Sequence, residues 1–563
     1  MNLAKSKNIN GASKLKRKKI YRVYFLAWLV CGFLITWILL AVSADRIAFS
    51  YGFFGEFYIS IADLEIFARE GKISPSFAYY ADRVSKEDLA ELRDVLNRHF
   101  NVSQVTANIF LNLPIGKQLV REVSSIIDSP AKVSQPALRG AIVLAAARPK
   151  GLTILNVLRL YSTKTLKLDT DKIITAVEEA TKILADTERV FTALERQARI
   201  SVETSNSPNI NNLADLTKSG SKQWRREFLA LDPNINGVVY LPVAVNKPAP
   251  LVVIAPGLNT DWQNFTYIAE HLASYGSGVA AVNFLGTNAR RVNAVLNGLD
   301  TPPSGNQWVE QPKVITRLLD EIEYKSERDP IWQGKLNLQK VGVIGQSLGG
   351  YTALASAGAK VDWHHLQQEC QAIKNPDRIE LNPSLFWQCQ SITAAPPDTN
   401  LKDNRIVAAI AVNPVTNPVF SLQGMSQLKS PLIIITGDKD LFAPALDEQI
   451  EPFTWLPEKD KYLALVKNST HFSFIGEEDF SDLSPSQIIG SKLAIARNYL
   501  KVLSVAYFQT YLSEREEFAP YLTGGYLRSI SKSALPISLL RSLDATKLKQ
   551  LVEDWHCRHL TKC

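Results

Sequence analysis

Short apolar runs rich in β-branched residues recur from Gly237 onward in this 563-residue chain. They fall at Gly237–Val243, Leu251–Ala255, Val279–Asn283, Val341–Ile344, Ile406–Val412, Leu432–Thr436 and Tyr462–Val466, with helical patterns between them. Strands alternating with helices predict an α/β fold: a mostly parallel central sheet covered by helices on both faces. The runs are apolar throughout instead of alternating with polar residues, as expected of strands buried on both sides.

The first third of the chain follows a different period. Ser85-Lys86-Glu87-Asp88 reads as a capping box, followed by Leu89, Leu92, Val95 and Leu96 at helical spacing. Ser134 with Pro136 predicts the start of a second helix, and Gly151 ends that stretch. From Asp169 to about Arg199 the apolar positions Ile173, Val177, Ile183, Val190 and Leu194 predict one long amphipathic helix. Residues 45–200 therefore read as an all-helical domain. Residues 201–222, rich in Ser, Asn, Thr and Lys, read as a linker. The α/β domain is expected over 223–530 with an insertion at 361–404, and 531–563 form a C-terminal extension.

Composition fits a folded, core-forming protein, with 46% hydrophobic and 21% charged residues. The net charge of +8 hints at nucleic acid until it is located. Residues 1–22 hold eight of the 63 basic residues and no acid, so the remainder has 55 of each sign. No basic face is left for nucleic acid. The cations instead precede an uncharged apolar run, Tyr24–Val42. Positive then apolar is the layout of an export signal, and the run is also just long enough to span a bilayer. Residues 1–44 thus read either as a signal peptide cleaved before Asp45 or as an uncleaved membrane anchor. Both readings put the rest of the chain on the non-cytoplasmic side.

The candidate chemistry centres on Gly345-Gln346-Ser347-Leu348-Gly349, set between the strand Val341–Ile344 and a helix-compatible run from Tyr351. A Gly-x-Ser-x-Gly turn in that context exposes the serine above the sheet, and the glycines leave room for the sharp turn. A serine hydroxyl needs a base, and such folds supply an acid and then a histidine later in the chain. After the strand Leu432–Thr436 comes Gly437-Asp438-Lys439-Asp440, where Asp440 is favoured as the acid and Asp438 is the backup. After Tyr462–Val466 comes His471, the candidate base. The oxyanion hole is expected from the amide of Leu348 and from that of Leu258, in the loop Pro256-Gly257-Leu258. This chemistry calls for no cofactor and no metal.

Pro256-Gly257-Leu258, Gly345-Gln346-Ser347-Leu348-Gly349, Gly437-Asp438-Lys439-Asp440 and Thr470-His471-Phe472 resemble platelet-activating-factor acetylhydrolase-like and dienelactone-hydrolase-like esterases of the α/β-hydrolase fold. Asp45–Gly52, Leu152–Leu158 and Pro452–Leu456 resemble exported α/β-hydrolases, described mainly from cyanobacteria, that carry a helical N-terminal domain of unknown function. Two residues depart from these patterns. Such hydrolases often have His-Gly where this chain has Pro256-Gly257, and dienelactone hydrolases use cysteine where this chain has Ser347.

The insertion at 361–404 holds Trp363, Leu366, Phe386, Trp387, Cys370 and Cys389, and reads either as an apolar lid or as a surface excursion. Cys370 with Cys389 and Cys557 with Cys563 are local pairs, candidates for disulfides in an exported chain, with free thiols as the alternative. The leading expectation is a serine hydrolase acting on small-molecule or lipid esters. It meets a membrane through its N-terminal segment if that segment stays uncleaved, and its features specify no oligomeric state. A peptidase or amidase on the same fold, and a non-catalytic binding protein, are the alternatives.

Overall fold

The computed structural model describes residues 43–50, 55–100, 102–204, 212–232, 235–375, 378, 380–393, 400–457, 459–476 and 492–552. The apolar segment Tyr24–Val42 and the pair Cys557 and Cys563 lie outside the described residues. Among the described residues no helix is long and apolar enough to cross a membrane.

The chain forms two compact units. Among the described residues, the first comprises those from Ser43 to His99 and Ile127–Leu168. It is not all-helical: β1 (Arg46–Ser50) pairs antiparallel with β2 (Glu56–Ser60) and parallel with β3 (Thr165–Leu168). These strands are four or five residues long and only half-buried, so they lack the continuous apolar signature that marks a buried strand. Leu64 and Phe67 from the helix Ile61–Glu70 pack with Phe77 and Leu96 from the next two helices. The Ser85 hydroxyl caps the helix Lys86–Asn97 by accepting from the Asp88 amide at 3.0 Å. The helix expected to open at Ser134 begins at Ala131 instead, leaving Pro136 inside it. A proline early in a helix removes one backbone bond without stopping the first turns.

The second unit comprises the described residues of Phe100–Ile126 and those from Asp169 onward. Its nine-stranded sheet runs β4 (Trp224–Asp232), β5 (Ile235–Pro242), β6 (Ala249–Ala255), β7 (Gly278–Val282), β8 (Leu336–Gln346), β9 (Ile406–Val412), β10 (Leu432–Gly437), β11 (Lys461–Val466) and β12 (Ile537–Leu540) in chain order. In space the order is β12-β11-β10-β9-β8-β6-β7-β5-β4. From β7 to β11 all neighbours are parallel, and the antiparallel pairings lie at the two edges. Alternation along each strand feeds two cores. Val253, Ala255, Val341 and Val343 share one with Ile315 and Leu318 of the helix Gln307–Arg328. Val252, Ile254 and Ile344 share the other with Leu503 and Phe508 of the helix Leu493–Tyr511.

Two boundaries differ from expectation. Residues 212–222 are not a free linker: Leu216 is buried, its carbonyl accepts from His271 Nε2 at 2.9 Å, and the Gly220 amide donates to Ser274 Oγ at 2.8 Å. The sheet also does not end at 530, because β12 adds to the edge of β11. Polar composition in the first case and a four-residue strand in the second hid these elements.

Burial shifts several ionisable groups in this unit. It pushes the carboxyls of Glu380 and Glu448 up to about 7, and that of Glu451 up to about 9. The unfolded chain releases these protons near pH 4.5, whereas the folded chain holds them longer, so their contribution is lost as pH rises through 7 to 9. Burial depresses His271 to about 4. Its contribution is present above pH 6.5 and is lost as pH falls through 4. Calorimetric unfolding temperature should fall between pH 6.5 and pH 9.5, and Glu451→Gln should flatten the upper part of that fall. A midpoint that climbs over this range contradicts the assignment.

Candidate active site

The order of the strands decides where a site forms. The connection from β6 leads to β7 on one side and the connection from β8 leads to β9 on the other, so the loops after β6 and β8 part at the carboxyl ends of adjacent strands. Open α/β sheets bind ligands at such a point. Ser347 follows β8 directly and Pro256-Gly257-Leu258 follow β6.

The turn at Ser347 is made possible by what is missing. A Cβ at Gly345 would stand 1.9 Å from the Gly349 carbonyl oxygen, and one at Gly349 would stand 1.9 Å from the Ala255 carbonyl oxygen. Only glycine allows this backbone to close. Ser347 takes φ +59°, ψ −121°, outside the favoured regions for an L-residue. Such strain persists where surrounding structure over-determines it. Here the Ser347 amide donates to the Val412 carbonyl at 3.0 Å, and the helix Leu348–Ala357 begins at the next residue. That helix points its N-terminal amides, Leu348 first, toward the serine, which favours negative charge there.

His471 comes from the loop after β11 and Asp440 from the loop after β10. The His471 Nε2 atom lies 2.8 Å from Ser347 Oγ, and Nδ1 lies 2.7 Å from Asp440 Oδ2. With Nδ1–H donating to the carboxylate, Nε2 is left to accept from the serine hydroxyl. The other oxygen, Oδ1, accepts from the amides of Phe442 at 2.9 Å and Ala443 at 2.8 Å. Asp440 and His471 are buried while Ser347 is half-buried. Asp438 goes elsewhere: its carboxylate accepts from the Asn468 amide at 2.5 Å, and burial pushes it upward in pKa. Two carboxylates two residues apart thus have separate tasks, one facing the histidine and one joining adjacent loops.

The loop after β6 comes up against the serine. A Cβ at Gly257 would lie 3.2 Å from Ser347 Cβ and 2.8 Å from both the Gln346 carbonyl and side-chain oxygens. The turn is held by the Asn259 amide donating to Thr287 O at 2.7 Å and by Thr260 Oγ1 donating to Gly257 O at 3.0 Å. Gly257, the residue before Leu258, is therefore brought against the serine from one side, while Leu348 follows the serine directly on the other. Sequence patterning did not find Gln346 and Asn413, whose side-chain amides donate to the His471 carbonyl at 3.0 and 3.2 Å. Gln346 occupies the freely variable position of Gly-x-Ser-x-Gly, so no motif signals it.

The insertion is tied down by a disulfide and by a buried carboxylate. A disulfide joins Cys370 to Cys389, with Cα atoms 5.5 Å apart. Closing a loop of that length contributes about 3 kcal/mol in the chain-entropy account. Both cysteines line a cavity of about 340 Å³ together with Gln118, Arg121, Lys374 and Phe386, and none of Ser347, Asp440 and His471 lines it. Glu448 anchors the insertion. Its carboxylate accepts from Asn382 at 2.8 Å, Gln388 at 3.1 Å and the Ser384 hydroxyl, and from the amides of Thr416 and Asn417 at 2.7 and 3.0 Å. Among the described residues, no group of His, Cys, Asp or Glu side chains could hold a metal ion.

Fold and sequence comparisons together support a hydrolase of the α/β class. Residues 43–169 match the family model described as "Alpha/beta hydrolase of unknown function (DUF1400)". The chain is also similar to the platelet-activating factor acetylhydrolase of Cavia porcellus, with 22% identity over 356 residues, covering 55% of this chain and 69% of the relative.

The two carboxylates make opposite predictions. Asp440→Asn removes the acceptor that fixes the imidazole tautomer and should lower kcat/KM for an ester by about 10³- to 10⁴-fold. Asp438→Asn should leave kcat/KM within about tenfold and cost about 1 kcal/mol of stability instead. Equal kinetic losses in the two variants would contradict the assignment.

Proposed function

We propose that this protein is a serine esterase that cleaves carboxylic esters with apolar acyl groups through an acyl-enzyme. The observation that carries this reading is the continuous hydrogen-bonded chain from Ser347 Oγ through His471 to Asp440. In this mechanism Ser347 Oγ attacks the ester carbonyl while His471 Nε2 takes its proton. The amides of Leu258 and Leu348 receive the developing oxyanion. The imidazolium then gives its proton to the departing alcohol, and water repeats the sequence to free the acid. Losing either oxyanion donor would cost about 3 kcal/mol of transition-state stabilisation.

Two features support an apolar acyl group. Leu441 and Phe442 are exposed on the loop that carries Asp440, at 65% and 39%. The Phe442 ring lies 5.6 Å from the His471 ring, centroid to centroid. The similar Cavia porcellus protein is named an acetylhydrolase, which supports ester cleavage and not the size of the acyl group. The proposed compartment is non-cytoplasmic, reached through the basic and apolar segment at residues 1–44, and the Cys370–Cys389 disulfide fits an oxidising environment.

A panel of p-nitrophenyl esters of increasing acyl length tests the reading. The wild type should hydrolyse them with a chain-length preference. Ser347→Ala should lose about 10⁴-fold or more in kcat, the scale at which only binding and the oxyanion donors remain. Undiminished hydrolysis by Ser347→Ala, or none by the folded wild type on any ester, would overturn the proposal.

A further inference from the structure

Two buried amide side chains meet on one backbone carbonyl, and the esterase chemistry above uses neither of them. Gln346, the last residue of β8, is 2% exposed and donates from Nε2 to the His471 carbonyl at 3.0 Å. Asn413, the residue after β9, is fully buried and donates from Nδ2 to that carbonyl and to the Thr470 carbonyl, each at 3.2 Å. Asn413 is itself held: its backbone has φ +42° and its amide donates to the Ile435 carbonyl at 2.8 Å. The residue before the serine and the residue following Val412, whose carbonyl holds the serine amide, thus pin the loop that carries the histidine.

We propose that Gln346 and Asn413 are positioning residues for the general base. They set the His471 backbone so that its imidazole reaches Ser347 and Asp440 together. This proposal rests on the serine-esterase reading. Other ties of the loop flank the histidine without touching its carbonyl, among them Ser469 Oγ donating to Val466 O at 2.8 Å and the Thr470 amide donating to Ser473 Oγ at 2.8 Å. Gln346 also joins two parts of the site. Its Nε2 holds the base loop, while its Oε1 fills the space that a side chain at residue 257 would take. Gly257 is therefore required twice over, by the serine and by the side chain that holds the base.

A group acting through the base changes turnover, not substrate affinity. Gln346→Met keeps the length and removes the donor. Active sites are counted by titration with a fluorophosphonate, and kinetics are expressed per titrated site. We expect kcat to fall about 10- to 100-fold with KM within about threefold, the scale of a small misplacement of a reacting group. The rate of phosphonylation should fall in parallel, and Asn413→Ala should behave alike. Gln346→Glu supplies a readout that a purely structural role would not move. Its carboxylate cannot donate to the carbonyl, but its protonated form can, so the ratio of its kcat to that of the wild type should rise as pH falls. Taking the ratio removes the titration common to both proteins, and this isosteric variant carries the test if Gln346→Met does not fold. Variants with wild-type kcat per titrated site within about twofold, or a Gln346→Glu ratio independent of pH, overturn the positioning role. A folded wild type that takes up no phosphonate overturns the esterase reading itself, a separate outcome.

Discussion

The close backbone approach between the end of β6 and the start of the helix Leu348–Ala357 is the constraint on which the rest of the site depends. Without a Cβ at Gly345 and Gly349, β8 can turn into a helix within a single residue. That turn lifts Ser347 above the sheet and leaves its amide on Val412 O. It also brings the β6 loop so near that residue 257 too must be glycine. The β6 loop at Gly257, the N-terminus of the helix Leu348–Ala357 and Ser347 meet because two parallel strands are neighbours in space while their connections part. An alanine at either elbow glycine would force the backbone apart, and every one of these groups would move with it.

Much of this was legible in the sequence, for physical reasons. All seven apolar runs correspond to β5 through β11, because strands buried on both faces have to be apolar throughout. The strands that escaped notice obey other rules. β4 is an edge strand carrying Arg225, Arg226 and Glu227, β12 is four residues long, and β1 to β3 are only half-buried. Unit boundaries were harder still. Phe100–Ile126 and the long helix Thr170–Thr204 look like neighbouring helical sequence, yet they cluster with the sheet unit. Helical periodicity records which face is buried and not what covers it.

The candidate site followed the same division. Ser347, Asp440 and His471 could be named because their chemistry needs particular residue types in a fixed chain order. The geometry brings Asp440 to the histidine and takes Asp438 to Asn468. Gln346 and Asn413 could not be named, since a donor to a carbonyl has no obligatory spacing in sequence. Glu448 is a similar case. A glutamate in a mostly apolar stretch gives no sign that it gathers donors from the insertion and from the loop after β9. Such buried polar groups stay put because breaking one leaves an unpaired partner in a low-dielectric interior, which costs about 1–3 kcal/mol.

The central claim is that Ser347 is made nucleophilic by His471 and Asp440. Peptide mapping by mass spectrometry after reaction with a fluorophosphonate tests it most directly. The account predicts one phosphonyl group per folded molecule, located on Ser347. A stable adduct on another residue, or a folded protein that stays unmodified, would contradict it.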